Sequence, residues 1–246
     1  MKTTNFSKFL ALAFAASSLF LTSCAKDTAV SPTPVVKEYA KVMLFHGATD
    51  AAAINLVVDG VTKNTDSLKY GSVTAYNQVE LTGKRIPIGA TYAKSGTKIG
   101  LIDSALMNKN VGYSYYVYQE NDAAKTVAMI KAVDDLTLPA AGKGRIRFVH
   151  LIPDAQVDID VQLVAPGGVA TTVSNFTKVK FKDILNFIDV AAGTYDVKVK
   201  LTGTVQVLFS ATNLVIADGK LYTYVARGYA NAITPRGAVI TVVNNN

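Results

Sequence analysis

A hexapeptide that occurs twice does most to limit the folds open to this chain. Lys41-Val42-Met43-Leu44-Phe45-His46, closed by Asp50-Ala51, returns 104 positions later as Arg145-Ile146-Arg147-Phe148-Val149-His150, closed by Asp154-Ala155, and the two histidines of the chain fall at matching places. Ile54-Asn55-Leu56-Val57-Val58 then matches Val157-Asp158-Ile159-Asp160-Val161 with one residue deleted, and Gly112-Tyr113-Ser114-Tyr115 matches Gly219-Lys220-Leu221-Tyr222. A period of about 105 residues is far longer than a solenoid repeat and signals a duplicated domain. The seam is Leu138-Pro139-Ala140-Ala141-Gly142-Lys143-Gly144, a proline and glycine connection between two patterned stretches. The duplication predicts one domain over 39–138 and a second over 143–246, each large enough to bury its own core.

Within each copy the signal is alternation with period two. Tyr195, Val197, Val199 and Leu201 fall on one face of a strand and Asp196, Lys198 and Lys200 on the other. Asp59-Gly60 and Pro166-Gly167-Gly168 supply turn chemistry, and no stretch after the N-terminal segment patterns as an amphipathic helix. Short strands with turns between them predict an all-β chain of two tandem antiparallel β-sandwiches, immunoglobulin-like or transthyretin-like. Phe45-His46 to Asp59-Gly60, Arg147-Phe148-Val149-His150 to Asp154-Ala155, Ala192-Gly193-Thr194-Tyr195 and Asp218-Gly219-Lys220-Leu221-Tyr222-Thr223 resemble the bacterial domain-of-unknown-function family 4397. The resemblance runs over nearly all of the chain after the N-terminal segment. It implies an exported, often lipidated, β-rich protein with domains in tandem and no agreed activity. The first copy departs at Gly89-Ala90-Thr91-Tyr92, one residue longer than Gly193-Thr194-Tyr195.

Lys2 and Lys8, the apolar run Phe9 to Leu21 and the small residues after it form the layout of an export signal. At about 1.5 Å per residue the run covers roughly 20 Å, short of a hydrocarbon core of about 30 Å. Leu21-Thr22-Ser23-Cys24 resembles the lipobox of bacterial lipoproteins, with Thr22 a mild departure. Residues 1–23 are thus expected to be a lipoprotein signal peptide and Cys24 the acylated residue. The chain has one cysteine, and lipidation explains it better than a stray thiol in an oxidising compartment. More than one acyl chain is what makes such anchoring stable. Residues 24–38, with Pro32 and Pro34 among small polar residues, read as a flexible tether. Ala25-Lys26-Asp27 resembles a signal that sends some lipoproteins to the outer face of the outer membrane. Removal of Met1 to Ser23 takes two lysines and no acid, so the formal charge falls from +7 to +5. The second copy is the more basic, +4 over 143–246 against +1 over 41–142.

His46 and His150, each four residues before an aspartate, raise the question of metal or acid–base chemistry. The strand register makes each the last inward residue before a turn, and no third or fourth ligand is spaced nearby. His46 with Asp50 and His150 with Asp154 are therefore expected to anchor turns, the aspartates bonding nearby amides. No metal, cofactor or catalytic residue is expected. Asp158 and Asp160 lie about 7 Å apart on a strand face, a spacing compatible with an inverting glycosidase pair or a calcium site, but no calcium-loop glycine follows and a solvated face is the expectation. Lys178, Lys180 and Lys182 alternate with Val179 and Phe181, and Lys198 and Lys200 add to that side. They form a stripe for anionic polysaccharide or lipid phosphate, or an edge strand guarded by lysines. Tyr113, Tyr115, Tyr116 and Tyr118 crowd one strand as candidate platforms for sugar rings, although they divide between its two faces. No nucleophile elbow, zinc-protease helix, phosphate loop or dinucleotide fingerprint is present.

The expectation is a cell-envelope lipoprotein held to the membrane through acylated Cys24, at the outer membrane and facing the cell surface. It would act as a non-catalytic binding or structural module, with polysaccharide or other envelope proteins as partners and no nucleic acid. Two alternatives stand beside it. One is a glycan-binding accessory lipoprotein of an outer-membrane uptake system, dependent on Tyr115 and Tyr116. The other is an envelope hydrolase using His150 with Asp154 or Asp158. Asp27-Thr28-Ala29, Asp66-Ser67-Leu68 and Asp103-Ser104-Ala105 resemble an O-glycosylation pattern of some envelope proteins.

Overall fold

Segments rich in β-branched and aromatic residues, cut by glycine and aspartate turns, form sixteen strands and no helix among the described residues of the computed structural model, which are 36–246 apart from 122, 156–157, 165–169, 173–175 and 234. In the first half, β1 (Tyr39–His46), β4 (Asn77–Glu80), β7 (Gly112–Asn121) and β8 (Thr126–Asp134) make a sheet ordered β4-β1-β7-β8. Facing it, β2 (Ile54–Val58), β3 (Val61–Thr62), β5 (Ile86–Tyr92) and β6 (Lys98–Ala105) are ordered β3-β2-β5-β6. The second half repeats this strand by strand. Its β9 (Lys143–Leu151), β12 (Ile188–Ala191), β15 (Leu221–Arg227) and β16 (Val239–Asn244) are ordered β12-β9-β15-β16. Its β10 (Ile159–Val164), β11 (Ala170–Thr172), β13 (Gly193–Leu201) and β14 (Val207–Ile216) are ordered β11-β10-β13-β14. The named strand pairs are antiparallel except that β1 runs parallel to β7 and β9 parallel to β15.

The ladders correct the residue correspondence between the halves. Val42, Met43 and Leu44 lie beside Tyr113, Ser114 and Tyr115, whereas Ile146, Arg147 and Phe148 lie beside Tyr222, Thr223 and Tyr224. Tyr113 therefore corresponds to Tyr222 and Ser114 to Thr223, two places later than the match drawn on Gly112 and Gly219. Ile54 bridges Leu68 as Ile159 bridges Val179, which likewise moves the counterpart of Ile54 from Val157 to Ile159. Backbone pairing sets strand register, while glycines in turns drift as turn lengths change.

Each half encloses a core between its two sheets. Val42, Leu44, Ile54, Leu56, Ile88 and Tyr115 belong to the first, and Ile146, Phe148, Ile159, Val161, Val199 and Tyr224 to the second. A third apolar cluster joins the halves: Met43, Phe45, Tyr116 and Tyr118 meet Val149, Leu151, Val225 and Val243. Successive strand residues point to opposite faces, so Val42 and Leu44 serve the first core while Met43 and Phe45 serve the junction. β1 is consequently buried without a break from Val42 to His46. Residues Lys37–Asn246 form one compact unit.

Candidate functional site at the junction

β9 carries Arg147 where β1 carries Met43, and this arginine is only 1% exposed. A buried guanidinium must be matched by an anion and by acceptors, because desolvation is otherwise uncompensated. Arg147 Nη2 lies 2.7 Å from Asp134 Oδ1, at the end of β8. It also donates to Tyr116 Oη at 2.8 Å and to Ser114 Oγ at 3.2 Å, while Nε donates to Thr223 Oγ1 at 2.8 Å. The Tyr76 and Ser114 hydroxyls each donate to Asp134 Oδ2 at 2.6 Å. Thr223 Oγ1 donates to Asn245 Oδ1 at 2.8 Å, and Asn245 Nδ2 returns to Tyr76 Oη at 3.2 Å. The guanidinium carbon stacks 4.6 Å from the centre of the Phe187 ring. Burial, with Asp134 adjacent, pushes the Tyr76 phenol above its ordinary range and keeps it a donor. A cleft of about 350 Å³ opens beside the network, lined by Lys131, Val133, Asp135, Arg147, Leu185 and Phe187. Its Lys131 is paired with Asp103 at 2.6 Å and its Arg147 with Asp134.

Both histidines are fully buried. His46 Nε2 lies 3.0 Å from the Ala52 carbonyl and closes the loop after β1. The Ile152 amide donates to His150 Nδ1 at 3.3 Å, within the chain reversal after β9. Burial pushes His150 down to about 4 against the opposing pull of the Ala155 carbonyl and the Asp183 carboxylate. Burial lowers His46 as well, with the Ala52 and Ala51 carbonyls opposing it. Both rings are thus neutral at pH 7 and out of reach of solvent.

The aspartates reach much further than their own turns. Asp50 Oδ2 accepts from Lys125 Nζ at 2.8 Å, from Tyr229 Oη at 3.0 Å and from Arg236 Nη2 at 2.6 Å. Asp154 accepts from the Ala230 and Asn231 amides at 2.7 and 3.1 Å. The expectation of local amide partners is therefore corrected: the two carboxylates, one from each half, reach beyond β15, Asp50 to Tyr229 and Arg236 and Asp154 to Ala230 and Asn231. Neither Asp154 nor Asp158 forms a solvent-reachable pair with His150, whose ring is enclosed.

The tyrosine platform does not form. Tyr113 and Tyr115 pack into the first core and Tyr116 and Tyr118 into the junction, none more than 4% exposed, so no ring face is open to a sugar. The lysine stripe is corrected too. Lys178, Lys180 and Lys182 are exposed, but they lie on turns between strands rather than on an edge strand, with φ of 54° at Lys178 and 76° at Lys182. Val179 enters the second core, Phe181 packs on the junction, and Lys182 Nζ meets Glu120 at 3.2 Å across the halves. Asp160 Oδ1 accepts from the Lys178 amide at 2.9 Å and Thr202 Oγ1 at 2.8 Å, which ties down the turn rather than opening a ligand site. Among the described residues no group of three or more histidines, cysteines or acids is placed to hold a metal. Cys24, the signal segment, most of the tether and Asp27-Thr28-Ala29 lie outside the described residues.

Sequence reasoning missed Arg147 with Asp134 as a unit. The available signal was a charged residue in a strand position occupied by Met43 in the other copy.

The family model described as Domain of unknown function (DUF4397) matches residues 40–162, half of the chain, from β1 into β10. A search of curated proteins found no match. Among solved structures, a leucine-rich repeat protein from Bacteroides thetaiotaomicron VPI-5482 is similar at 14% identity with a TM-score of 0.22, over 76% of this chain and 25% of that one. This chain thus spans a quarter of that protein's length, and so low a TM-score carries no argument about fold or role.

Proposed function

The chain belongs to the DUF4397 family, and from that premise we propose that it is a non-catalytic envelope module, anchored through acylated Cys24 and presenting its two halves as one stiff body to envelope partners. One observation carries this reading. The polar residues most capable of chemistry, Arg147, Asp134, His46 and His150, are buried and engaged in holding the molecule together. A hydrolase needs a base within reach of substrate and water, and His150 has neither. The glycan-receptor alternative loses its tyrosines to the interior, which leaves the outer sheet faces and exposed loops as the surfaces for polysaccharide or protein partners.

Two experiments test the reading. Fatty-acid labelling should mark the wild-type chain in the membrane fraction and leave Cys24→Ser unlabelled; equal labelling of both would refute anchoring at this residue. His150→Ala should lower the melting temperature and abolish no hydrolytic activity on envelope substrates. Turnover by the wild type that vanishes in a still-folded His150→Ala would overturn the non-catalytic assignment.

A further inference from the structure

Contacts at the junction come in pairs related by exchange of the two halves. The strand registers make Ser114 the counterpart of Thr223, Asp134 of Asn245, and Tyr118 of Arg227. They also make Tyr76 the counterpart of Phe187, and the Leu68 and Val179 bridges align Tyr70 with Phe181. His46 meets Tyr70 edge-on at 6.4 Å, as His150 meets Phe181 at 6.1 Å. Tyr118 of the first half meets Phe181 of the second at 5.8 Å, and Arg227 of the second lies over Tyr70 of the first at 4.2 Å. An interface in which one residue meets the counterpart of its partner, and the reverse, is isologous, the kind formed by two identical subunits. The charge pair obeys the same rule. Exchange of halves maps Arg147 and Asp134 onto Met43 and Asn245, and those two also touch, Asn245 Nδ2 lying 3.8 Å from Met43 Sδ.

We propose that the two sandwiches are a fused isologous pair, and that placing Arg147 and Asp134 at only one of its two equivalent positions makes the junction face of each half fit the opposite half and reject a copy of itself. Two first-half faces together would bury two Asp134 carboxylates opposite methionines. Two second-half faces would bury two Arg147 guanidinium groups opposite asparagines. A buried charge without its partner is strongly unfavourable, whereas the matched pair is tolerated. Neighbouring copies are thereby kept from pairing through like halves, whether or not Cys24 is acylated.

The test relocates the charges in the mature chain carrying Cys24→Ser. Moving the cation alone, with Met43→Arg and Arg147→Met, strands Asp134 and should lower the melting temperature by about 10 °C. Adding Asp134→Asn and Asn245→Asp moves the whole pair to the equivalent position and should recover at least half of that loss in a monomeric protein. A whole-pair chain that melts no higher than the cation-only chain overturns the symmetry. If the cation-only chain is not recovered folded, a folded monomeric whole-pair chain supports the proposal and an unfolded one refutes it. Rejection of like halves is read separately. Arg147→Met with Asp134→Asn, refolded at high concentration, should yield dimers by light scattering where the wild type yields monomer; monomer from both overturns the rejection.

Discussion

His150 shows how a residue that invites a catalytic reading can be committed to structure. In the unfolded chain its imidazole titrates near 6.5, and in the folded protein burial moves it to about 4. The unfolded state therefore binds more protons between those values, so stability is fully present above pH 6.5 and is lost as pH falls toward 4. The loss is roughly 3 kcal/mol, on the scale of 1.36 kcal/mol per unit. Urea unfolding from pH 7.5 to 4.5 should show this slope in the wild type and a shallower one in His150→Gln; identical slopes would refute the assignment. The histidines and their turn positions were legible because they recur at a fixed spacing. The partners of Asp50 were not, since Tyr229 is 179 residues away and nothing local in the sequence points to it.

Strands buried on both faces explain where the sequence reading fell short at the level of elements. Val42-Met43-Leu44-Phe45 is continuously apolar, and that lack of alternation is the mark of a strand covered on both sides. The division of the tyrosines between two faces carried the same message, because each face of β7 has a core to fill. The Lys178 to Lys182 alternation misled for the opposite reason: turns joined to single inward residues imitate a period of two. Phe45→Ala should cost about 3–5 kcal/mol, as for a large aromatic in a closed core. Lys180→Ala should stay within about 0.5 kcal/mol of wild type. Denaturant midpoints compare the two, and equal effects would place the junction cluster wrongly.

At the scale of the whole molecule, duplication was written plainly in the sequence, and with it the all-β class, whereas the strand count and order of each half came only from the structure. The way one half meets the other was not, because the contacts join faces from distant segments that each look ordinary alone. Besides the two-sided burial of β1 and β7, departures from the repeat mark the junction, Arg147 against Met43 and Asp134 against Asn245 among them. A joined pair of sandwiches is what those residues build. Scanning calorimetry of residues 24–246 carrying Cys24→Ser tests this most directly. The account predicts one transition in which calorimetric and van't Hoff enthalpies agree, the mark of a single cooperative unit. Two separate transitions, one for each sandwich, would contradict it.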